Sequence, residues 1–231
     1  MSATAGIWKQ IRTRAVSSPG RAQTETASAA ATTSESNVEM LGLARRIFFP
    51  SAEVQRTHVL FAASDAETDI STFCKRMGVA LRDISSGMVA IVEATRPLPV
   101  AAPRKRGRNQ SLGTAWRDCS VQLAEQVWSI PSALFCAQDH SRERNDWTLA
   151  DMKEIHATFG YVLFAARMSD SEMPMFSRAS DAAVLVLDAN RTRREAALRA
   201  KEELQHFHAE LLGAVLNGRT LPIPEFLYRR L

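Results

Sequence analysis

The stretch VLFAASDAETDISTFCKRMGVAL, residues 59–81, decides how this chain can fold. It reads as a buried strand (residues 59–63), a polar loop and an amphipathic helix. A strand that enters a helix through such a loop is the arrangement that cradles phosphates: glycines let backbone amides approach, and a lysine reaches the terminal phosphates. This loop has neither residue type, and it carries the carboxylates of Asp65, Glu67 and Asp69. These suit a helix N-terminus but would repel a triphosphate.

Composition limits the class of protein. The chain has 231 residues, 45% of them hydrophobic, which is enough for one sizeable core and a tail. A net charge of +4 does not by itself indicate nucleic-acid binding. Cys74, Cys119 and Cys136 are widely spaced, which favours core thiols in a reducing compartment over a disulfide framework or a zinc site. No apolar run approaches a membrane span, and no secretory signal is recognisable, so we expect a cytoplasmic protein.

The sequence divides into a tail and a domain. Residues 1–37 are rich in Ala, Ser and Thr and contain few large apolar side chains. Such a segment cannot offset its ordering entropy by burial, so we expect it to be disordered. We expect residues 38–231 to form one α/β domain.

Continuous apolar runs in the domain alternate with helical patterns. We predict strands at 59–63, 88–92, 129–135, 161–164, 182–187 and 213–217, and helices at 39–49, 73–81, 115–128, 149–159 and from about 192. The last helix has an apolar stripe that comprises Ala197, Ala200, Leu204, Phe207 and Leu211. This alternation predicts a three-layer α/β/α fold around a mostly parallel sheet. Ligands in such sheets bind at the carboxyl ends of the strands.

Two stretches in the last third carry a resemblance to a known family. Residues 181–196, DAAVLVLDANRTRREA, form one; residues 212–217, LGAVLN, with the tail PIPEFLYRRL at 222–231, form the other. Together with the order of the elements, they resemble the bacterial capsular and exopolysaccharide synthesis tyrosine-autokinases. That family belongs to a group of deviant P-loop ATPases that includes septum-site and partition ATPases. The resemblance implies a P-loop NTPase-like fold over about residues 39–231.

The motifs that would perform chemistry depart from the family pattern. Its phosphate-binding core is Gly-x-Gly-Lys-Ser/Thr-Thr, and this chain has ETDIST at 67–72, which puts carboxylates at both glycine positions and Ile70 at the lysine position. Ser71, at the magnesium-binding position, remains. The second motif, Asp-x-Asp, becomes Glu93-Ala94-Thr95, and the aspartate of the third becomes Ala165. By the resemblance, Asn217 and Arg219 would lie on the adenine side.

These departures predict a degenerate nucleotide site without catalytic residues, bound metal or cofactor. Its residues are Ser64, Glu67, Asp69, Ile70, Ser71, Thr72, Glu93, Thr95, Ala165, Asn217 and Arg219. Phosphoryl transfer depends on positioning and charge stabilisation, so the loss of several such groups should abolish turnover. The family's autokinases carry a C-terminal tyrosine cluster, whereas this chain has only Tyr161 and Tyr228. We assign Tyr161 to the core and give Tyr228 a structural role at the sheet edge.

The leading hypothesis is therefore a pseudoenzyme that acts as a binding or regulatory module. The resemblance places it in polysaccharide synthesis or export. Its partner would be the cytoplasmic face of a membrane chain-length regulator or a catalytically intact relative, which would hold it at the inner face of the membrane. The helix at 39–49 and a basic loop are candidate contact surfaces, with a covering helix and a solvated loop as the alternatives. The basic residues of that loop are Arg104, Lys105, Arg106 and Arg108.

Three alternatives remain at this point. The chain could be an active, atypical ATPase or tyrosine kinase that uses Ser71, Glu93, ATP and magnesium. Nucleic-acid binding by the basic loop is weaker, because no aromatic residue interleaves the short run. The third alternative is a different enzyme on the same scaffold, with an acid–base pair and a nucleophile. No known nucleophile motif surrounds the candidate residues, which makes this alternative weak. These residues are Asp139, His140 and His156, with Ser64 or Cys136.

Overall fold

The computed structural model of the protein describes residues 37–94, 96, 115–134, 149–207 and 209–218. Contacts divide the chain between Val38 and Glu39, and the sheet belongs to the unit that begins at Glu39. The predicted disorder of residues 1–37 falls almost wholly outside the described residues and stays a prediction. The basic loop at 104–108 and the proposed enzyme residues Asp139, His140 and Cys136 also lie outside them.

Seven strands form one sheet in the order β3-β4-β2-β5-β1-β6-β7. The first strand along the chain, β1, lies between β5 and β6 and pairs with both in parallel. All six of its residues are buried, as expected for a central strand with both faces covered. Only β3 is antiparallel to its neighbour. The strands are β1 His58–Ala63, β2 Val89–Glu93, β3 Val121–Ala124, β4 Val127–Pro131, β5 Tyr161–Arg167, β6 Ala182–Asp188 and β7 Leu211–Asn217.

Helices cover the two faces of this sheet. The first helix, α1, includes residues 37–48. The others are α2 Ile70–Ile84, α3 Ala115–Cys119, α4 Leu149–Thr158, α5 Met173–Ala179 and α6 Arg194–His206. Apolar side chains of α1 and α2, such as Phe48 and Met77, pack in one buried cluster with one face of the sheet. Side chains of α3 to α6, such as Phe176 and Leu204, pack in a second cluster on the other face. The predicted three-layer α/β/α fold with a mostly parallel sheet is confirmed.

The segment at 115–128 corrects a prediction. We expected one helix there, but α3 ends at Cys119, and β3 and β4 then form an antiparallel hairpin. Gln126 adopts a positive φ of 61° in the turn between them. The cause is visible in the burial of β4, where Val127 and Ile130 are completely buried, which requires extended backbone inside the sheet. The strand predicted at 129–135 therefore begins two residues earlier and ends at Pro131.

Two further differences concern the second half of the chain. The segment between the strands predicted at 161–164 and 182–187, for which no helix was predicted, contains α5. The stripe predicted for the last helix is shorter than expected: α6 ends at His206, only Ala200 and Leu204 are buried along it, and Leu211 opens β7. Tyr161 lies in the core as predicted, where its hydroxyl accepts a hydrogen bond from Gln55 Nε2 at 2.7 Å.

A pair of stacked histidines lies at the amino end of β1. The ring centroids of His58 and His156 are 3.7 Å apart. His58 Nδ1 contacts Thr57 Oγ1 at 2.8 Å and lies 3.6 Å from a carboxylate oxygen of Asp181. Burial, followed by the charge of His156, lowers the pKa of His58 from 6.5 to about 4 against the opposing attraction of Asp181. The fold therefore holds this histidine neutral.

This depressed pKa predicts acid sensitivity in a defined window. Between pH 6.5 and about 4 the unfolded chain binds a proton at this position that the folded chain does not. The free energy of unfolding should therefore decrease as the pH falls through this window, by on the order of 2 kcal/mol. Urea unfolding at several pH values measures it. His58→Phe should flatten the profile, and an unchanged slope in this variant would contradict the assignment.

Candidate functional site

The loop between β1 and α2 is held in place by its own carboxylates. Asp69 is the N-cap of α2, and its Oδ1 accepts a hydrogen bond from the backbone N–H of Thr72 at 3.0 Å. The first amides of a helix have no partner within the helix, so such a cap satisfies a donor that would otherwise need water or an anion. The hydrogen bonds from Thr72 lower the pKa of Asp69, and the charges of Lys75 and Arg167 lower it further.

Asp65 also holds the loop in place, because its carboxylate accepts several hydrogen bonds. Its Oδ1 accepts hydrogen bonds from the backbone N–H of Thr68 at 2.8 Å and from the Thr68 hydroxyl at 2.7 Å. Its Oδ2 accepts a hydrogen bond from Thr192 Oγ1, just before α6, at 2.8 Å and another from Ser64 Oγ at 3.1 Å. Burial would raise the pKa of Asp65, but these hydrogen bonds outweigh burial and lower it. The loop is thus tied both to itself and to the segment before α6.

These contacts decide what the loop can bind. The amides of Thr68 and Thr72, at the start of α2, already donate to carboxylates of the same loop. Glu67, the third carboxylate, extends into solvent and pairs with Arg191 at 2.8 Å. A phosphate that binds these two amides would have to displace the carboxylates, and it would meet their negative charge.

A second polar cluster lies beside the loop, at the carboxyl end of β2. Glu93 is only 4% exposed and accepts hydrogen bonds from the hydroxyls of Ser71 and Ser129. Lys75 Nζ lies 3.7 Å from Glu93 Oε2, and Arg96 Nη1 lies 3.9 Å from Glu93 Oε1. Arg96 also donates to Ser129 Oγ. The buried carboxylate therefore has two hydroxyl donors and two cationic neighbours.

Two residues of the predicted site are part of the core. Ile70 is 2% exposed and packs in the core cluster beneath α2. Ala165 does not end its strand: it lies within β5 and opposes Glu93 in the sheet register. The last residue of β5 is Arg167, whose positive charge acts on Asp69.

The predicted adenine side is only partly described. The backbone oxygen of Asn217, at the end of β7, accepts a hydrogen bond from Ala189 N at 2.9 Å, and Asn190 Nδ2 donates to Gly218 O at 2.9 Å. Thr95 and Arg219 lie outside the described residues. A cleft of about 320 Å³ opens between the loop and the start of α6. It is lined by Asp65, Glu67, Arg191, Thr192, Arg193, Glu195, Ala196 and Arg199.

Sequence reasoning brought together the correct pair, Ser71 and Glu93, but missed the groups around it. Lys75, Arg96, Ser129 and Arg167 were not predicted as site residues. One signal was available: Lys75 lies one helical turn after Ser71, and the two positions therefore share a face of α2. Arg96, Ser129 and Arg167 lie on separate segments of the chain. The order of the strands in the sheet brings these segments together, and the sequence does not reveal that order.

Other features of the described residues bear on earlier expectations. Cys74 and Cys119 are buried, and burial raises the pKa of the Cys74 thiol. Within the described ranges, no three His, Cys, Asp or Glu side chains form a group that could hold a metal ion. In the same part of the chain, no helix is both long and apolar enough to cross a bilayer.

The ion cluster predicts a large effect of neutralising Glu93. Glu93→Gln should lower the free energy of unfolding by about 2 kcal/mol, because the hydroxyls of Ser71 and Ser129 lose a charged acceptor. Lys75 and Arg96 also lose their counter-charge, but both side chains are partly exposed. Glu67→Gln is the matched control, since its ion pair with Arg191 is exposed and should contribute less than about 0.5 kcal/mol. Urea unfolding followed by tryptophan fluorescence measures both. Equal effects of the two substitutions would contradict the cluster.

The N-cap predicts a smaller and chemically specific effect. Asp69→Ala should cost about 1 kcal/mol of stability, because Thr72 N–H loses its acceptor. Asp69→Asn keeps a side-chain oxygen at the cap and should cost less than about 0.5 kcal/mol. The same unfolding measurement distinguishes them, and an Asn variant as unstable as the Ala variant would show that charge rather than capping dominates.

Comparison with known proteins extends the description of the fold. No protein-family model matches this sequence. No curated protein matches it significantly. Among solved structures, the chimerical protein CapA2B2 has a TM-score of 0.60 and 15% identity over 79% of this chain and 84% of that chain. The kinase domain of the Escherichia coli tyrosine kinase ETK has a TM-score of 0.55 and 10% identity over 81% of this chain and 78% of that chain.

A third structure with a similar fold is that of a cell division protein. The MinD cell division protein of Aquifex aeolicus has a TM-score of 0.50 and 13% identity over 75% of this chain and 72% of that chain. Identities this low establish shared architecture rather than shared chemistry. The chain therefore has the P-loop NTPase-like, three-layer fold of bacterial tyrosine-kinase domains and of MinD.

Proposed function

We propose that the protein is a member of the capsular and exopolysaccharide synthesis tyrosine-autokinase family that does not transfer phosphoryl groups and acts as a binding or regulatory module. The single observation that supports this proposal is that the loop amides and the carboxylate of Glu93 already have partners within the chain. Asp65 and Asp69 accept hydrogen bonds from the loop amides, and Lys75 and Arg96 face the carboxylate of Glu93.

The residues present do not fit a nucleoside triphosphate. Phosphoryl transfer relies on donors and cations that surround the transferred group, and removal of one such donor costs about 2.7–4 kcal/mol of barrier. Here the glycine loop and the lysine are both absent, and the core position of Ile70 offers no replacement. The losses do not add simply, but together they support the absence of turnover.

The residues present do not fit a magnesium ion either. Magnesium requires an octahedral set of oxygen ligands with little tolerance in distance. Ser71 and Glu93 provide two oxygens, and these are hydrogen-bonded to one another. A divalent cation at Glu93 would stand beside the ammonium group of Lys75 and the guanidinium group of Arg96, which would repel it. No step of the proposed function therefore uses a metal.

The biological setting follows from the proposed family membership. Polysaccharide synthesis or export would be the process, and the partner would be the cytoplasmic face of a membrane chain-length regulator or a catalytically intact relative. The protein would then be cytoplasmic and would reach the inner face of the membrane through this partner. The solved neighbours described as tyrosine-kinase domains support this setting through their shared fold.

A second candidate function, an active but atypical ATPase or tyrosine kinase, is favoured by one observation. Ser71 and Glu93, the two residues that match the family's metal positions, do contact each other. In addition, Glu67 extends away from the loop toward Arg191. Activity would require ATP and magnesium, with Asn217 and Arg219 on the adenine side, and it would require Asp65 and Asp69 to release the loop amides.

Calorimetric titration with Mg-ATP and with Mg-ADP distinguishes the two functions. We expect no binding heat from the full chain at nucleotide concentrations up to about 1 mM, because a phosphate must displace the internal carboxylates. The assay uses the wild-type protein and Ser71→Ala in parallel.

The Ser71→Ala variant makes a positive result interpretable. Binding with micromolar affinity that this variant removes would overturn the proposed function and favour the ATPase, and hydrolysis would be measured next. Micromolar binding that survives the substitution would place nucleotide elsewhere on the protein and would leave the loop without a ligand.

A further inference from the structure

The first half of α6 and the turn before it carry a concentrated positive charge. Residues 191–201 read RTRREAALRAK and contain five cationic side chains and one carboxylate, whereas the net charge of the whole chain is only +4. All five cations are exposed. Among the described residues, only Arg191 has an acidic partner, Glu67 at 2.8 Å. Most of this positive charge is therefore not neutralised by the described part of the chain. The cations are Arg191, Arg193, Arg194, Arg199 and Lys201.

An apolar side chain lies among these cations. Leu198 is 46% exposed, although it belongs to a helix that covers the sheet. Arg194, Leu198 and Lys201 are spaced by four and then three residues, so they follow one another along one face of α6. Glu195, the one carboxylate of the segment, lines the cleft beside the loop instead. This face of α6 therefore presents an exposed leucine with a cation on either side.

A second exposed leucine lies on the same side of the sheet. Leu216 in β7 is 57% exposed, and it is paired in register with Leu187 of β6. Leu187 packs against the core cluster that α6 helps to cover. Side chains in register on neighbouring strands share a face of the sheet, so Leu216 points to the side on which α6 packs. The exposed leucines and the cations thus belong to one side of the domain.

We propose that this side of the domain, formed by residues 191–201 and Leu216, lies on an anionic lipid bilayer with Leu198 inserted among the lipids. A cation held near such a bilayer strengthens binding about fivefold, so several cations together give a measurable affinity. A leucine that enters the interfacial region adds an apolar contribution that charge alone does not supply. The long arginine side chains can reach lipid phosphates while the helix lies parallel to the surface.

The composition of this surface favours lipid over an acidic protein partner. Protein interfaces concentrate binding energy in aromatic and arginine side chains that fill well-packed pockets. The face of Arg194, Leu198 and Lys201 has no aromatic member, and none of the three lines the cleft. A bilayer requires only positive charge and apolar side chains that can enter it. Glu202 and Glu203 follow directly, which limits the contact to the first half of α6.

Co-sedimentation of the full chain with lipid vesicles tests the proposal. One set of vesicles contains about 30 mol% phosphatidylglycerol in phosphatidylcholine, and the other contains phosphatidylcholine alone. We expect binding to the anionic vesicles only, and weaker binding at about 0.5 M salt, because salt screens exposed charges. Absence of binding to the anionic vesicles at low salt would overturn the proposal.

Arg194→Glu and Arg46→Glu form a matched pair of charge variants. Both change the net charge equally, and Arg46 is exposed on α1, which packs on the other face of the sheet. We expect Arg194→Glu to weaken binding to the anionic vesicles at least about tenfold, and Arg46→Glu to weaken it less than about twofold. Equal losses would overturn the proposal, because overall charge or another surface, such as the basic loop at 104–108, would then make the contact.

Leu198→Gln tests the insertion of the leucine without a change of charge. Glutamine keeps the helix propensity of this position, and we expect vesicle binding to weaken about fivefold. Val54→Gln is the control, because Val54 is 45% exposed on a different segment, and it should bind as the wild type does. An unchanged affinity in Leu198→Gln would overturn the proposed insertion.

A labelled poly-glutamate peptide provides the test for an acidic protein partner. We expect the full chain to bind the anionic vesicles in preference to this peptide. Tighter binding of the peptide, lost in Arg194→Glu and retained in Leu198→Gln, would replace the bilayer with an acidic partner. None of these results depends on whether the loop after β1 binds nucleotide, so the proposal and the proposed function can fail separately.

Discussion

Glu93 imposes the constraint on which the candidate site depends. A carboxylate that is 4% exposed loses its hydration, so hydrogen bonds and opposite charges must replace the water. Those replacements come from α2 through Ser71 and Lys75, from β4 through Ser129 and from the loop after β2 through Arg96. One buried group therefore fixes the position of three separate segments at the carboxyl end of the sheet.

The positive end of α2 creates a second, related constraint. Helix N-termini attract anions, and in a phosphate-binding loop the anion is the ligand. In this chain the anions are covalently part of the loop: Asp69 caps the helix and Asp65 closes the turn before it. In a nucleotide-binding loop, glycines let the backbone amides approach a bound phosphate. Here the amides of Thr68 and Thr72 donate to the carboxylates of Asp65 and Asp69 instead. A fold shared with kinase domains therefore does not determine which groups satisfy the start of this helix.

The sequence predicted those parts of the fold that depend on continuous apolar runs. The buried strands β1, β5 and β6 and the covering helix α6 followed from hydrophobic pattern alone, because both faces of these strands are covered. The hairpin at residues 121–131 was not predicted, because its strands are short and Val121 is exposed. The apolar pattern of this segment fits a helix as well as two strands. Ala165 was misplaced for a different reason: where a strand ends depends on its neighbours in the sheet.

The site itself was less predictable than the fold, for a physical reason. The role of Lys75 or Arg96 depends on where a long, flexible side chain ends, and this is set by contacts with other segments. A nucleotide-binding loop leaves backbone donors open for its ligand and accepts some loss of stability in the free state. Here Asp65 and Asp69 satisfy those donors within the chain, so the ordered loop does not require a ligand. The loop therefore carries its own negative charge at the helix N-terminus, and this charge contributes to the stability of the fold.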